Sequence, residues 1–312
     1  DLLVADIDDK KIIPLGPDTN EIMSSQRRIN VLSEVYQALV LGLRDYVRKN
    51  GFEKVVIGLS GGIDSSLTAL IAVDAIGAKN VMGVTMPSKF NSPETIQDAA
   101  KVAKKLGIEF HSIPIGLVLD EFNSTLRGVE GWSDNGIAYE NLQARIRGTI
   151  LMSLSNNFSY LVVTTGNKSE TAVGYATLYG DTAGGFAVIK DVPKTMVYQL
   201  AKYANRIHGL TIIPRGVLTR VPSAELKAEQ ADTDSLPEYD LLDQILKGYI
   251  EDDKSARDLV HEGLPKDIVS DVIRMVDRNE YKRRQSPPGV RITPKAFGKD
   301  RRMPITNGYI SQ

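Results

Sequence analysis

Apolar residues recur along this chain with two different periods, and the changes between them mark its elements. Ile29, Leu32, Val35, Leu39, Leu43 and Val47 return at steps of three and four, which puts them on one face of a helix running from Ser24 to about Asn50. Asn50-Gly51 stops the run. Residues 54–59 are a β-branched run short enough for a buried strand, followed by a small-residue turn and an apolar helix over about 64–76. The unit then repeats in kind. Residues 81–86 read as a strand and 93–106 as a helix, opened by Ser92 as N-cap with Pro93 in the first helical position. Strands follow at 109–115 and 160–165, with a long helix at about 139–156 between them, and the chain after about 194 is mostly helical.

Strands alternating with helices predict an α/β fold: a doubly wound parallel sheet covered on both faces, with a helical C-terminal portion. Residues 1–25, broken by Pro14, Gly16, Pro17 and Asp18, read instead as a tail or linker. The folded domain is therefore expected over 26–312. Ligands in such sheets bind beyond the carboxyl ends of the strands, where the small-residue turns fall here. The chain begins with Asp rather than Met and reads as a piece of something longer.

Composition narrows the chemistry. The chain has no cysteine, so disulfides, thiolate metal sites and cysteine nucleophiles are excluded. His111, His208 and His261 lie far apart in sequence, which argues against a His-rich metal site. A net charge of −1 gives no whole-chain attraction to nucleic acid or membrane. No apolar run approaches the ~20 residues a membrane span needs. Neither nucleic acid nor a membrane is an expected partner, and the expected location is cytoplasmic. The charge is uneven, however. Residues 225–253 hold ten acidic and two basic residues, and 278–302 hold nine basic and two acidic. The basic stretch could close over phosphorylated ligands, or be a solvated tail or a polyanion surface.

The informative stretch is Gly58-Leu-Ser60-Gly61-Gly62-Ile63-Asp64-Ser65-Ser66, between the first strand and its helix. Glycines let backbone N–H groups approach a ligand closely, and a helix N-terminus adds unpaired donors. With the serine hydroxyls these make a pyrophosphate cradle. Asp64 would repel phosphate unless a cation stood between them, which suggests Mg²⁺. The loop fits neither G-x-x-x-x-G-K-[ST] nor G-x-G-x-x-G. The plain alternative is a glycine-rich turn with Asp64 as an N-cap.

Ser60-Gly-Gly-Ile-Asp-Ser65 resembles the SGGxDS signature of the ATP pyrophosphatase (PP-loop) family. Those enzymes split ATP between its α and β phosphates, adenylate a carbonyl or carboxylate, and let a nitrogen or sulfur nucleophile displace AMP. More of the chain resembles one branch, the NAD⁺ synthetases: Glu140–Arg147, Thr164–Glu170, Gly174–Asp181, Asp191–Thr195, Pro222–Leu226, Tyr239–Asp243 and Tyr281–Arg284. The likeness runs from about residue 26 to the end and is nearest the synthetase domain of the glutamine-dependent type. Leu178 stands where the short, ammonia-dependent enzymes usually carry Lys, which supports that branch.

The resemblance implies a Rossmann-like, adenine nucleotide alpha hydrolase-like fold. It also implies ATP-dependent amidation of nicotinic acid adenine dinucleotide (deamido-NAD) to NAD, with ammonia as nitrogen donor and AMP and pyrophosphate released. Implied ATP contacts are Gly58, Ser60, Gly61, Gly62, Asp64, Ser65, Thr165, Lys194 and Ser223. Implied deamido-NAD contacts are Asn141, Arg145, Glu170 and Lys282. Asp64 and Glu170 would bind Mg²⁺, and Asp64, Glu170 and Lys194 would carry the chemistry. A preceding nitrilase-like glutaminase is implied as ammonia source, with residues 1–20 its last strand and linker. A homodimer is also implied, with the apolar positions of the 26–49 and 139–156 helices as candidate interface or simply core. Residues 84–92 and 220–237 resemble loops that shield the adenylate. On the residues alone, Glu170 could be a solvated acid starting a helix, Thr165 a turn residue, Lys194 a surface lysine, and Asn141 with Arg145 a surface polar stripe. A nucleotide-binding sensor or another PP-loop amidotransferase synthetase are the alternative functions.

Overall fold

The computed structural model describes residues 3–6, 11–14, 30–227, 229–298, 300–306 and 308. Leu3–Asp6 (β1) and Lys11–Pro14 (β2) pair as an antiparallel hairpin, so the predicted tail contains a paired element. The expected helical start at 24–29, with Ile29, lies outside the described residues. Val31–Lys49 (α1) begins at Asn30, whose side chain accepts from Leu32 N, and buries Val35, Tyr36, Leu39, Leu43 and Val47. That stripe is core rather than a free interface.

Val55–Gly58 (β3), Val81–Thr85 (β4) and Glu109–Ser112 (β5) lie side by side in chain order. Leu161–Thr164 (β6) returns to the other side of β3, and the two-residue Phe186–Ala187 (β7) follows it. All five strands are parallel, in the order β5-β4-β3-β6-β7. The chain reverses its direction of travel between β3 and β6, so the crevice opens at their carboxyl ends. The edge strand β5 leaves Glu109, His111 and Ser112 exposed, so the expected cover on both faces fails there.

Alternation along β3 divides the core. Val55 and Ile57 pack with α1, Ile63–Ile76 (α2), Pro93–Leu106 (α3) and the later helix Lys194–Ile207. Val56 faces the other way, with Val84 and Val162, against Leu119 of Gly116–Leu126 (α4) and Ile146 of Gly136–Phe158 (α5). α2 is apolar on nearly every side, as a helix enclosed between others must be. α4 was not foreseen. It buries only Leu119 and Asn123 and leaves Leu117, Val118 and Phe122 exposed, so it carries no clear periodic stripe.

Lys168–Val173 (α6) follows β6, and Lys194–Ile207 (α7) follows β7. Beyond them lie Arg215–Thr219 (α8), Tyr239–Leu246 (α9), a π-helical turn at Lys247–Glu251, Ala256–His261 (α10), Lys266–Arg278 (α11) and Glu280–Arg283 (α12). Leu242, Ile245, Leu259, Val269 and Ile273 form a second core with Ala172 and Val173 of α6. The two bodies are pinned by one buried ammonium. Lys168 Nζ donates to Glu251 Oε1 at 2.7 Å and Thr293 Oγ1 at 2.6 Å, with Asp191 Oδ1 at 3.1 Å. Asp191 in turn accepts from the backbone N–H groups of Ile292 and Thr293. Removing one member of such a group strands the others. Lys168→Met is expected to lower stability by about 3–5 kcal/mol, read as a drop in the urea unfolding midpoint.

Candidate active site

A cleft of about 330 Å³ opens at the switch point between β3 and β6. Its floor is the loop after β3. Ser60 Oγ lies 3.1 Å from Ser65 Oγ and accepts from Gly62 N at 3.2 Å, while Ser65 and Ser66 hydroxyls donate to Gly62 O at 3.1 and 2.7 Å. Gly62 is the N-cap of α2 and offers no side-chain cap, so the helix presents its N-terminal donors to the cleft. Gly61 has φ +87°, and a Cβ there would sit 2.0 Å from Thr95 O. Only glycine lets the loop pass this close to α3.

Three loops meet above that floor. Lys194 Nζ donates to Asp64 Oδ2 at 2.6 Å and Glu170 Oε1 at 3.1 Å, with the Tyr239 ring centroid at 5.1 Å. The lysine side chain is only 3% exposed, which removes the surface-lysine alternative. Burial alone would lower its pKa, but the Asp64 and Glu170 carboxylates more than reverse this and hold it above the usual lysine range. Glu170 is pushed up to about 7, first by burial and then by the Asp64 and Asp232 carboxylates, with Lys194 opposing.

Sequence reasoning did not assign Asn167, yet its buried amide joins the two acidic loops. Nδ2 donates to Asp64 Oδ1 at 2.9 Å, and Oδ1 caps α6 by accepting from Glu170 N at 3.0 Å. Its place as an Asn just before a short helix was the available signal. Asp232 was also missed. It is buried, lines the cleft, and accepts from Tyr239 Oη at 2.8 Å and Tyr175 Oη at 3.2 Å. Lys190 lines the cleft as well, donates to Pro287 O at 2.7 Å, and is lowered by burial to about 8. Nothing in the local pattern singled out these two.

Gly58, Ser60, Gly62, Asp64, Ser65, Thr165, Glu170, Lys194 and Ser223 all line the cleft. Asn141, Arg145 and Lys282 do not. They gather behind its wall, on the 174–182 loop. Asn141 Oδ1 accepts from Thr177 Oγ1 at 2.7 Å, Arg145 Nε donates to Leu178 O at 3.2 Å, and Lys282 Nζ donates to Gly174 O at 2.7 Å and Ala176 O at 2.9 Å. α5 reaches this loop through Gly148, where a Cβ would stand 2.7 Å from Gly180 O. The basic stretch 278–302 is largely tied down. Arg283 and Arg284 pair with Glu280, Arg291 pairs with Asp300, and Lys295 and Arg301 pair with Asp253. That disfavours a solvated tail or an open polyanion surface.

The donor set suits a hard cation shared with a substrate. Asp64 and Glu170 converge on Lys194 Nζ, so a cation taking their carboxylate oxygens would share them with that ammonium or displace it. Among the described residues no group of three or more His, Cys, Asp or Glu could hold a metal unaided. Mg²⁺ typically takes one or two carboxylates and completes its shell with phosphate oxygens and water.

Fold and site define a nucleotide-binding α/β domain of the PP-loop kind. The family model described as NAD synthase matches residues 35–286, and the chain belongs to that family. It is 55% identical over 276 residues to a glutamine-dependent NAD(+) synthetase of Thermotoga maritima, covering 88% of this chain and 48% of the relative. The corresponding protein of Acinetobacter baylyi is 52% identical, with 90% and 52% covered. A solved glutamine-dependent NAD⁺ synthetase from Acinetobacter baumannii, in complex with ADP, matches with TM-score 0.62 and 47% identity over 99% of this chain and 55% of that one. An NMN synthetase from Francisella tularensis matches with TM-score 0.69 and 28% identity, covering 81% and 95%. The chain thus spans about half the length of the curated relatives it matches.

The raised Glu170 sets a stability signature. Between its ordinary 4.5 and about 7 the folded state binds more protons than the unfolded one, so this contribution is complete below 4.5 and lost as pH rises through 7. Glu170→Gln is expected to flatten that decline, measured by urea midpoints at pH 4.5 and 8.

Proposed function

We propose that this chain amidates deamido-NAD to NAD with ATP, the last step of NAD biosynthesis, taking ammonia as nitrogen donor. The observation that carries the reading is the meeting of Asp64, Glu170 and Lys194 over a glycine–serine loop at a helix N-terminus. A cleft that only sensed a nucleotide has no need of two carboxylates and a buried ammonium on one pyrophosphate.

The reaction runs in two steps. The pyridine carboxylate attacks the α-phosphate of ATP, forming an acyl-adenylate and releasing pyrophosphate. Ammonia then attacks the acyl carbon, forming the amide and releasing AMP. The loop from Ser60 to Ser65 holds the departing pyrophosphate by N–H and hydroxyl donors, with Thr165 and Ser223 on the walls. Lys194 neutralises charge as it builds on the phosphates. Asp64 and Glu170 hold Mg²⁺, which when bound supplies charge neutralisation and phosphate orientation. Segments 84–92 and 220–237, linked where Asn91 donates to Glu225, would keep water from the mixed anhydride.

Asn141, Arg145 and Lys282 serve deamido-NAD where it extends past the cleft onto the 174–182 loop. The exposed Ile137, Met152 and Phe158 of α5 and Leu117 and Phe122 of α4 support a homodimer. The absence of cysteine here and the greater length of the relatives support a glutaminase portion as ammonia source. Among the described residues no helix is long and apolar enough to cross a membrane.

Product analysis with ATP, Mg²⁺ and deamido-NAD tests the reading. NAD, AMP and pyrophosphate are expected with ammonium chloride but not with glutamine. Pyrophosphate formed only with nicotinic acid mononucleotide or another acceptor would replace the substrate. Nucleotide binding without pyrophosphate would leave a sensor. Asp64→Asn is expected to abolish pyrophosphate release with an unchanged circular dichroism spectrum, and wild-type rates in that variant would remove Asp64 from the chemistry.

A further inference from the structure

Glu225 lines the cleft, and beyond its link to Asn91 it has no assigned contact with a ligand. Its backbone has φ 48°, the left-handed region that a residue with a Cβ rarely adopts. Such a conformation persists where its surroundings hold it. Here they hold the side chain too. The carboxylate accepts from Thr95 Oγ1 at 2.9 Å and Asn91 Nδ2 at 2.8 Å. Asn91 has one available orientation, because its Oδ1 already accepts from Ser88 N at 2.7 Å and Arg147 Nη2 at 3.2 Å. Arg147 is anchored through Nε to Met86 O at 2.9 Å. The result is a fixed, charged acceptor with no direct ion-pair partner among the described residues.

Its surroundings say what it accepts from. Met86, Pro87, Ile96, Val221 and Leu226 make this end of the cleft apolar. It lies at the carboxyl end of β4, one strand across from the phosphate-binding loop of β3. A nucleotide whose phosphates rest on that loop lays its base here. An apolar slot with one fixed acceptor suits a flat heterocycle that offers an N–H. We propose that Glu225 is the specificity residue that reads the exocyclic amine of adenine and turns away a 6-oxo purine, whose carbonyl oxygen would face the carboxylate. This rests on the nucleotide reading of the cleft.

Calorimetric titration of the full chain with Mg²⁺ and ADP, IDP or 2′-deoxy-ADP tests it without needing turnover. The wild-type chain is expected to prefer ADP to IDP by about tenfold to a hundredfold, the effect of one hydrogen bond to a charged group. Glu225→Gln, whose amide can donate to a 6-oxo group, is expected to bring that ratio near one. Glu225→Ala is expected to weaken ADP without strengthening IDP. The preference of ADP over 2′-deoxy-ADP should be the same in all three. An ADP to IDP ratio unchanged in both variants overturns the proposal, and so does a change confined to the 2′-deoxy comparison, which would place the carboxylate on the ribose. If the wild-type chain binds no nucleotide at all, the reading beneath it falls as well.

Discussion

The mouth of this sheet is organised around one buried ammonium that two carboxylates share. Lys194 stands in the first turn of α7, where the helix dipole disfavours a cation, and burial disfavours it further. Asp64 and Glu170 outweigh both effects. Their shared demand for one nitrogen draws together the loops that follow β3, β6 and β7. Buried clusters of this kind contribute little net stability, and the consequence here is geometric. The same ammonium masks two negative charges that would otherwise repel a polyphosphate at close range.

That geometry is held from behind by four consecutive residues with four different tasks. Asn167 bridges Asp64 and the first turn of α6. Lys168 reaches the other way, into the acidic pair of Asp191 and Glu251. Ser169 donates to Asp243 of α9 and accepts from Lys194 N at 2.9 Å. Glu170 turns back to Lys194. A helix of six residues therefore has no freedom of its own. Its position is dictated jointly by the sheet and the helical C-terminal body.

Much of this was legible beforehand where a local rule carried it. The 93–106 helix is opened by Ser92 and Pro93, each with its own conformational preference, and the structure keeps those bounds, with Gly107 closing the helix in the left-handed region. The strands at 55–58, 81–85 and 161–164 announced themselves as apolar β-branched runs. The loop at 58–66 was readable because glycine, serine and aspartate between a strand and a helix have few other uses. What escaped is what depends on distant partners. β7 is two residues long and exists because β6 is beside it. Asp232 and Lys190 acquire meaning only when α9 and the 286–289 segment arrive. Asn141, Arg145 and Lys282 were foreseen as a group through family likeness, but spacing alone could not show that the wall of the cleft stands between them and its floor.

The strand order also sets a schedule. β3 precedes β4 in the chain and can pair with it first, but its other edge waits for β6, which joins Val55 to Leu161. Until then the central strand of the sheet carries an open, apolar edge of the kind that invites pairing with another chain. Parallel pairing across such sequence distances is slow, because the loop must close before the contact rewards it. Lys194 lies later still, so Asp64 emerges well before the cation that neutralises it. The nucleotide cleft accordingly cannot be completed before residue 194 has reached the loop after β3. A bound nucleotide would mark a nascent chain that has passed its most aggregation-exposed stage.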